Sequence, residues 1–450
     1  MNNTHAENRI LGYTNRMTAG PGEPVEFKVS CIDVEAFEAK IVRVVSADPT
    51  PGGPGLILQP VDIDLGGPFP GREQQISPGS SVVVDNASNL SCRDTISVAA
   101  MIYPTMSGRP QTIMGNWSDA DKNGYGIGLD LESRLWAWFG DGSGRVTRVK
   151  LQTVLELRHW YFVGAVIDPN SRLLSLYCDD AIRGRKVLAE QHASALIDGS
   201  FQVDESDRFV LAAHQFGERL TDYFNGKIDS PLVADGKLSI DELRDLIDRN
   251  RNEPEERLRA AWDFSVDMAG IAAKDRSGNF MDGEIINLPA RAVTGYRWDG
   301  STLDWRLKPE QYSAIHFHDD DIADCGWLTD FVLKIPQDLP SGIYAAHLIC
   351  DEFEDFVPFF VRPAADGQRN RIAFVASTAT YLAYANSHVK LDTVGAELMY
   401  ESAMQVTALD HLLQERRELG YSTYDTHGDY SGVIYSSPLR PLLNMRPGPY

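Results

Sequence analysis

The chain has 450 residues, 43% hydrophobic and 10% aromatic, with 42 Lys+Arg against 64 Asp+Glu and a formal net charge of −22. At roughly 100–200 residues per domain this is chain enough for two to four domains with ordinary cores, and long disorder is not expected. No window approaches about 18 uninterrupted apolar residues and no Lys/Arg run offers clustered cations to phosphate, so a transmembrane helix and a nucleic-acid surface are excluded.

The acidic excess reads as solubility and carries no information about fold. The start, Met1-Asn2-Asn3-Thr4-His5-Ala6-Glu7, has neither the basic nor the apolar region of a secretory signal. The five cysteines (Cys31, Cys92, Cys178, Cys325 and Cys350) are widely spaced and contain no CxxC. The expectation is free thiols in a reducing cytoplasm, and no zinc site.

In chain order, Val25–Cys31 alternates apolar and polar residues as a half-buried strand, and Lys40–Val45 reads as a second. Residues 46–81 are rich in Pro and Gly and read as a connection. Short strand-like runs then recur between turn signals: 82–84, 96–103, 111–115, 124–129, 135–139, 160–166, 173–178, 209–213 and 224–228. Such a series predicts a two-sheet sandwich. Ile96–Pro104, His159–Gly164 and Phe224–Asp229 resemble the concanavalin/laminin-G type of jelly roll, over residues 80–265. Asp235–Glu242 imitates half of a calcium loop, but Pro231 and Val233 stand where acids belong. Ser239 and Glu242 read instead as a capping box for the helix that follows.

Strand patterns return at 292–295, 312–317, 331–335, 342–349 and 358–362. The expectation is a small immunoglobulin-like β domain, residues 1–75 with 290–365, interrupted by the jelly roll. From residue 370 the apolar run Arg371–Ser377 reads as a buried parallel strand opening an α/β unit. Thr407–Gly420 has helical spacing ended by glycine.

Three clusters carry chemistry. His316, His318 and Asp319–Asp321 place two imidazoles on one strand face beside carboxylates, a divalent-metal pattern; a strand end with a solvated acidic turn is the simpler expectation. Thr378–Asn386 follows the predicted parallel strand, where open α/β sheets bind ligands; core aromatics at a helix start read equally well. Tyr421–Asp429 brings Tyr, Asp and His together as an acid/base or metal set.

Trp298-Asp299-Gly300, Ala314–Asp321, Ser341–Ala346, Thr380–Asn386, Tyr424-Asp425-Thr426-His427 with Ser431-Gly432-Val433, and Asn444–Pro447 together resemble the large (beta) subunit of the N,N-dimethylformamidase family, along nearly the whole chain. The resemblance implies a mainly β, multidomain protein ending in a glutamine-amidotransferase-like α/β domain. It implies an amide hydrolase that converts dimethylformamide and water to dimethylamine and formate. It further implies a mononuclear, ferric iron held by two tyrosines and a glutamate, a small helical partner subunit and an oligomer. Carried over, the tyrosines are Tyr384 and Tyr424, with Tyr381 and Tyr421 as alternatives. His427 and Asp425 become orienters or proton carriers, and Thr380 and Asn386 line the substrate pocket. Hard phenolate and carboxylate oxygens suit ferric iron as a Lewis acid.

One departure accompanies the resemblance. The family's glutamate comes from a later stretch of the α/β domain, and only about 80 residues of that domain are expected here, too few for a complete sheet. A truncated homologue is the expectation. The alternative is a non-catalytic binding protein whose jelly roll is the working module, a lectin being one form of it that rests on fold analogy alone.

Overall fold

A computed structural model describes residues 9–48, 52–92, 94–181, 190–197, 208–248, 256–365, 371–388, 397–398, 401 and 406–447. Contacts divide the chain into two units, Gly79–Asp321 and Met1–Pro78 with Ile322–Tyr450.

The Gly79–Asp321 unit is a β-sandwich. One sheet runs Val146–Val154, Arg134–Asp141, Asn123–Leu129, Gln111–Ser118, Arg208–Leu211 and Ser81–Asp85. The other runs Gly226–Asp235, Ile96–Pro104, Tyr161–Asp168, Leu173–Asp180 and Gln191–Leu196. Short strands at Leu258–Asp263, Ala272–Asp275 and Gly283–Ile286 carry the pairing from one sheet to the other, so the sheet is nearly closed. Every second residue faces the core between the sheets, among them Val98, Ile113, Tyr125, Ile127, Phe139, Val163, Leu176 and Trp262. The helix Ile240–Asp248 starts with the expected capping box: the Glu242 amide donates to Ser239 Oγ at 3.3 Å and the Ser239 amide to Glu242 Oε2 at 2.9 Å. Ala290–Val293 and Ala314–Phe317, assigned from the sequence to the interrupted domain, join this unit instead, the second pairing with Gly226–Asp235. Apolar β character is common to both units, and only the pairing partner distinguishes them.

The second unit packs two small sheets. Ile10–Thr14, Pro24–Cys31 and Phe331–Lys334 form one; Thr18–Ala19, Phe353–Val361, Gly342–Cys350, Ala36–Asp48 and Gly55–Pro60 form the other. The chain pieces on either side of the sandwich therefore share sheets, with Phe27 opposite Phe331 and Val42 opposite Ala345. Phe27 stacks on Phe331 at 4.7 Å and meets Phe359 edge-on at 5.7 Å, at the centre of the core.

Beyond Pro363 the described residues hold only short helices, Thr378–Ala383 and Ala408–Glu415, and single turns. The helix at 408 begins at the capping box of Thr407 and Asp410 and ends at Glu415, earlier than its spacing predicts; Gly420, with φ +80°, closes the separate turn Arg417–Leu419. The expected parallel strand at Arg371–Ser377 is not formed, and Ile372 and Val375 stand 87% and 82% exposed. A parallel strand needs neighbours for its backbone groups, and no strand pairs with this run among the described residues. Leu413, Leu419 and Leu443 pack instead on Leu11, Tyr13 and Trp327.

A buried ion pair reinforces that packing. Asp355 accepts from the Gly12 amide at 2.9 Å and the Phe356 amide at 2.8 Å, and its oxygens lie 2.9 Å from Arg446 Nε and Nη2. Burial pushes the Asp355 carboxyl up, against the pull of Arg446 and the amides. Removing the arginine leaves a charge with no counterion in the interior. Arg446→Met is expected to lower the unfolding free energy in denaturant titration by about 3–5 kcal/mol, and Arg446→Met with Asp355→Leu to recover most of the loss.

Candidate functional site

Two hydrogen-bonded turns bring together residues 40 positions apart. The first ends the Thr378–Ala383 helix: the Tyr384 amide donates to the Thr380 carbonyl at 3.1 Å, and Asn386 turns the chain with φ +53°. The second is Ser422–Asp425. There Asp425 Oδ2 accepts from the Ser422 amide at 2.9 Å and from Ser422 Oγ at 2.7 Å. The two are bound to each other. The amide and hydroxyl of Thr423 both donate to the Ala383 carbonyl, at 3.0 and 3.1 Å, and the His388 amide donates to both Asp425 oxygens at 3.1–3.2 Å.

The result is a pair of tyrosines. Tyr384 and Tyr424 stack face to face, with ring centroids 4.3 Å apart and planes 19° from parallel. They are 45% and 57% exposed, so both rings are open to solvent as well as to each other. The two alternatives occupy different surroundings. Tyr381 stacks on Phe360 at 6.1 Å, and Tyr421 packs on His388 at 5.0 Å while its carbonyl accepts from Arg440 at 2.7 Å.

The other expected site residues divide by how far their polar atoms are already committed. Asp425 is held by the turn it closes. Asn386 is fully buried: Nδ2 donates to the Leu419 and Pro441 carbonyls at 3.1 and 2.9 Å, and Oδ1 accepts from the Leu443 amide at 2.8 Å. With both amide hydrogens and one oxygen lone pair bonded to backbone and no exposed surface, Asn386 serves the framework here. Asn444 extends it, donating to the Tyr384 carbonyl at 2.6 Å. Thr380 is exposed on the helix beside Tyr384. His427 is buried three residues beyond Tyr424, and its amide donates to the Ser431 carbonyl at 2.9 Å.

Sequence reasoning passed over two groups here. Arg440 is buried and donates to the Leu419, Tyr421 and Ser437 carbonyls, replacing a strand ladder with one guanidinium. His388 is held below the usual imidazole range by burial, and its Nε2 has no hydrogen-bond partner. Neither lies in a motif; an isolated Arg or His in a turn-rich stretch gives no signal before folding.

The His316 cluster lies in the other unit. The rings of His316 and His318 are 4.1 Å apart, on one face as the strand spacing predicts, and both are buried. The acidic turn beside them is not the solvated one expected. Asp321 accepts from Ser80 Oγ at 2.7 Å and lies 3.3 Å from His318 Nδ1, and Asp319 pairs with Arg109.

Two family models match separate parts of the chain, and the more C-terminal of them begins inside the Gly79–Asp321 unit. Residues 290–450 match the family described as "N,N-dimethylformamidase beta subunit-like, C-terminal", and residues 77–244 match the concanavalin A-like lectin/glucanases superfamily. The N,N-dimethylformamidase beta subunit of Paracoccus aminophilus is 34% identical over 98% of this chain and 60% of its own length. That of an Alcaligenes species is 32% identical over 97% and 60%. The chain thus spans about 60% of the length of these relatives. Among solved structures, domains LG4-5 of the mouse laminin alpha1 chain are similar with TM-score 0.28 and 17% identity, over 36% of this chain and 40% of that one.

The framework role of Asn386 is testable apart from any activity. Asn386→Ala strands the Pro441 carbonyl and the Leu443 amide in the interior, at about 1–3 kcal/mol each, and leaves the Leu419 carbonyl to Arg440 alone. The expected outcome is early proteolytic cleavage between residues 380 and 447 under conditions where the wild-type chain is resistant.

Proposed function

This chain is a homologue of N,N-dimethylformamidase beta subunits, and from that premise we propose that it is the large subunit of an amide hydrolase whose metal site is built on Tyr384 and Tyr424. The observation that carries the reading is the stacked pair itself, two phenols held at one exposed place by a turn network. Phenol oxygens are hard donors and suit ferric iron. The donor set fits in this respect: the pair supplies two oxygens, and the third, a carboxylate, is not Asp425, whose oxygens are taken up by Ser422 and His388. It comes from outside the described residues. Bound there, the ion supplies Lewis-acid polarisation of a formyl oxygen.

The remaining steps fall to the chain. Asp425 positions Tyr424 by holding its turn, and Asn386 and Asn444 position Tyr384 through its backbone. His427, buried in the same loop, is the proton carrier of the proposal. Dimethylformamide has no N–H to be recognised and is selected by shape against the exposed rings. In this reading the stretch beyond residue 370 belongs to an amidotransferase-like α/β domain, although its apolar run Ile372–Val375 forms no strand, and the smaller sandwich is immunoglobulin-like. A small helical subunit completes the enzyme and the assembly is oligomeric, in line with the "beta subunit" of the relatives' names. Residence in the cytoplasm accords with five free cysteines, and no described helix is long and apolar enough to cross a membrane.

Protein produced with iron is expected to carry it stoichiometrically, with a phenolate-to-iron band in the visible range that both Tyr384→Phe and Tyr424→Phe abolish. Colourless, metal-free protein after reconstitution with ferric and ferrous salts overturns the site. Asp425→Ala, which loosens the turn without removing a ligand, is expected to weaken iron binding about 10–100-fold in competition with a chelator. Formate release from dimethylformamide, assayed with the partner subunit present, tests the substrate.

A further inference from the structure

In the Met1–Pro78 and Ile322–Tyr450 unit, one sheet ends in an edge strand. Gly55–Pro60 pairs with Ala36–Asp48 on one side, and among the described residues no strand pairs with the other. Charged side chains commonly guard such an edge. None does so here: residues 49–61 include no charged residue, in a chain of net charge −22. Val45, Leu56 and Ile57 are 51%, 39% and 41% exposed.

The neighbouring ladder fixes which backbone groups of this strand are open. The Val61 amide donates to the Ile41 carbonyl at 3.0 Å, and the Gly55 carbonyl accepts from Ser46 Oγ at 2.7 Å. In an antiparallel pair every second residue turns its N–H and C=O to the partner strand. The register shift near Val45 adds its residue to the other strand and leaves this alternation intact. Residues 55, 57, 59 and 61 therefore face the neighbouring strand, and 54, 56, 58 and 60 face outward. The outward set reads Pro54, Leu56, Leu58 and Pro60. Prolines stand at both ends, where no N–H exists to be met. Leucines stand between, each with an N–H and a C=O open to a further strand.

That pattern is symmetric about Ile57. A two-fold axis at Ile57 sets a second copy of the strand antiparallel to the first, with Leu56 opposite Leu58, Pro54 opposite Pro60 and Ile57 opposite itself. Each leucine then exchanges both backbone bonds with the leucine it faces, and every apolar side chain meets an apolar one. A register shifted by two residues sets Ile57 against Gly55 or Gln59 and gives up those pairs. Charge follows the same axis. Asp48 stands opposite Gly55, and Arg43 opposite Gln59, on the adjoining strand. The axis therefore brings Arg43 of one copy level with Asp48 of the other. Leu58 already packs with Val42, Val44, Ala345 and Phe356, a cluster that the pairing continues across the axis.

We propose that Gly55–Pro60 is a self-association strand, through which two copies of this chain join their sheets edge to edge as an isologous dimer. The contact serves the proposed oligomer and is independent of the metal site, whose failure leaves it untouched.

Sedimentation equilibrium of the full chain at about 100 μM is expected to give the mass of two copies, with a Kd of about 10 μM or tighter. Ile57→Lys sets two cations face to face on the axis. Leu56→Pro removes an outward N–H and no bond to the neighbouring strand. Each is expected to weaken the dimer about tenfold or more with the melting temperature unchanged. Ile57→Cys reads the register, because cross-strand Cα atoms at such a position lie about 4.5 Å apart, within disulfide reach. Oxidised glutathione is expected to link that variant into covalent dimers and to leave Gln59→Cys, which faces Gly55, unlinked. A monomeric wild-type chain overturns the proposal, including one whose mass rises only when the small partner subunit is added. So does a dimer that both Ile57→Lys and Leu56→Pro leave intact, which puts the oligomer's contact elsewhere. So does a Gln59→Cys variant that links as readily as Ile57→Cys.

Discussion

One buried carboxylate joins the distant parts of the Met1–Pro78 and Ile322–Tyr450 unit. Asp355 sits on a sheet strand, accepts from the amide of Gly12 and faces Arg446 near the other end of the chain. Arg446 in turn donates to the Gly12 carbonyl at 2.5 Å. Three segments, successively 343 and 91 positions apart, thus share one charge pair, in a place where either charge alone would be costly. The stretch beyond residue 370 has no paired sheet strands of its own among the described residues. Its attachment includes this pair, the cluster of Leu413, Leu419 and Leu443 against Trp327, the Cys325 amide donating to the Leu439 carbonyl at 3.0 Å and Tyr381 stacked on Phe360. The tyrosine pair stands on that attached stretch, so its geometry depends on Asp355 and Arg446 although neither touches it.

The same stretch shows how polar side chains substitute for secondary structure. Arg440 and Asn386 between them satisfy the Leu419, Tyr421, Ser437 and Pro441 carbonyls and the Leu443 amide. A strand ladder does this work in the sheets. Here single guanidinium and amide groups do it, fully enclosed, which is why residues that look like ligand contacts in the sequence turn out to be framework. The Gly79–Asp321 unit uses the opposite device. Its backbone groups are paired in long ladders, and small side chains set the packing on one sheet face, where Gly126 leaves the space that the Trp138 ring fills.

Much of the β architecture was legible. Alternation at Val25–Cys31 and the recurrent short runs between 82 and 228 correspond to strands, because a half-buried strand must alternate and a turn must interrupt it. The capping boxes at Ser239 and Thr407 were equally readable or nearly so, being local in sequence. Arg371–Ser377 was read as a buried strand from its apolar run, yet burial depends on a neighbour that the run itself does not specify. Trp136 and Trp138 were read as strand residues only. That Trp138 covers Gly126 was not readable, because it depends on the register that sets one opposite the other.

Sequence alone determined the mainly β character, the acidic composition, the likeness to N,N-dimethylformamidase beta subunits and the two short motifs that hold the tyrosines. The first two are properties of spacing and composition, the others of an ordered set of short motifs, and all survive without knowledge of contacts. The tertiary structure decided which tyrosines meet, that the Asn386 side chain bonds to backbone, and that Ala314–Phe317 pairs with Gly226–Asp235, and Ala290–Val293 with Ala314–Phe317, rather than with the smaller sandwich. Each of those is a choice among chemically equivalent partners, made by long-range pairing and by the cost of leaving a buried polar group unmet.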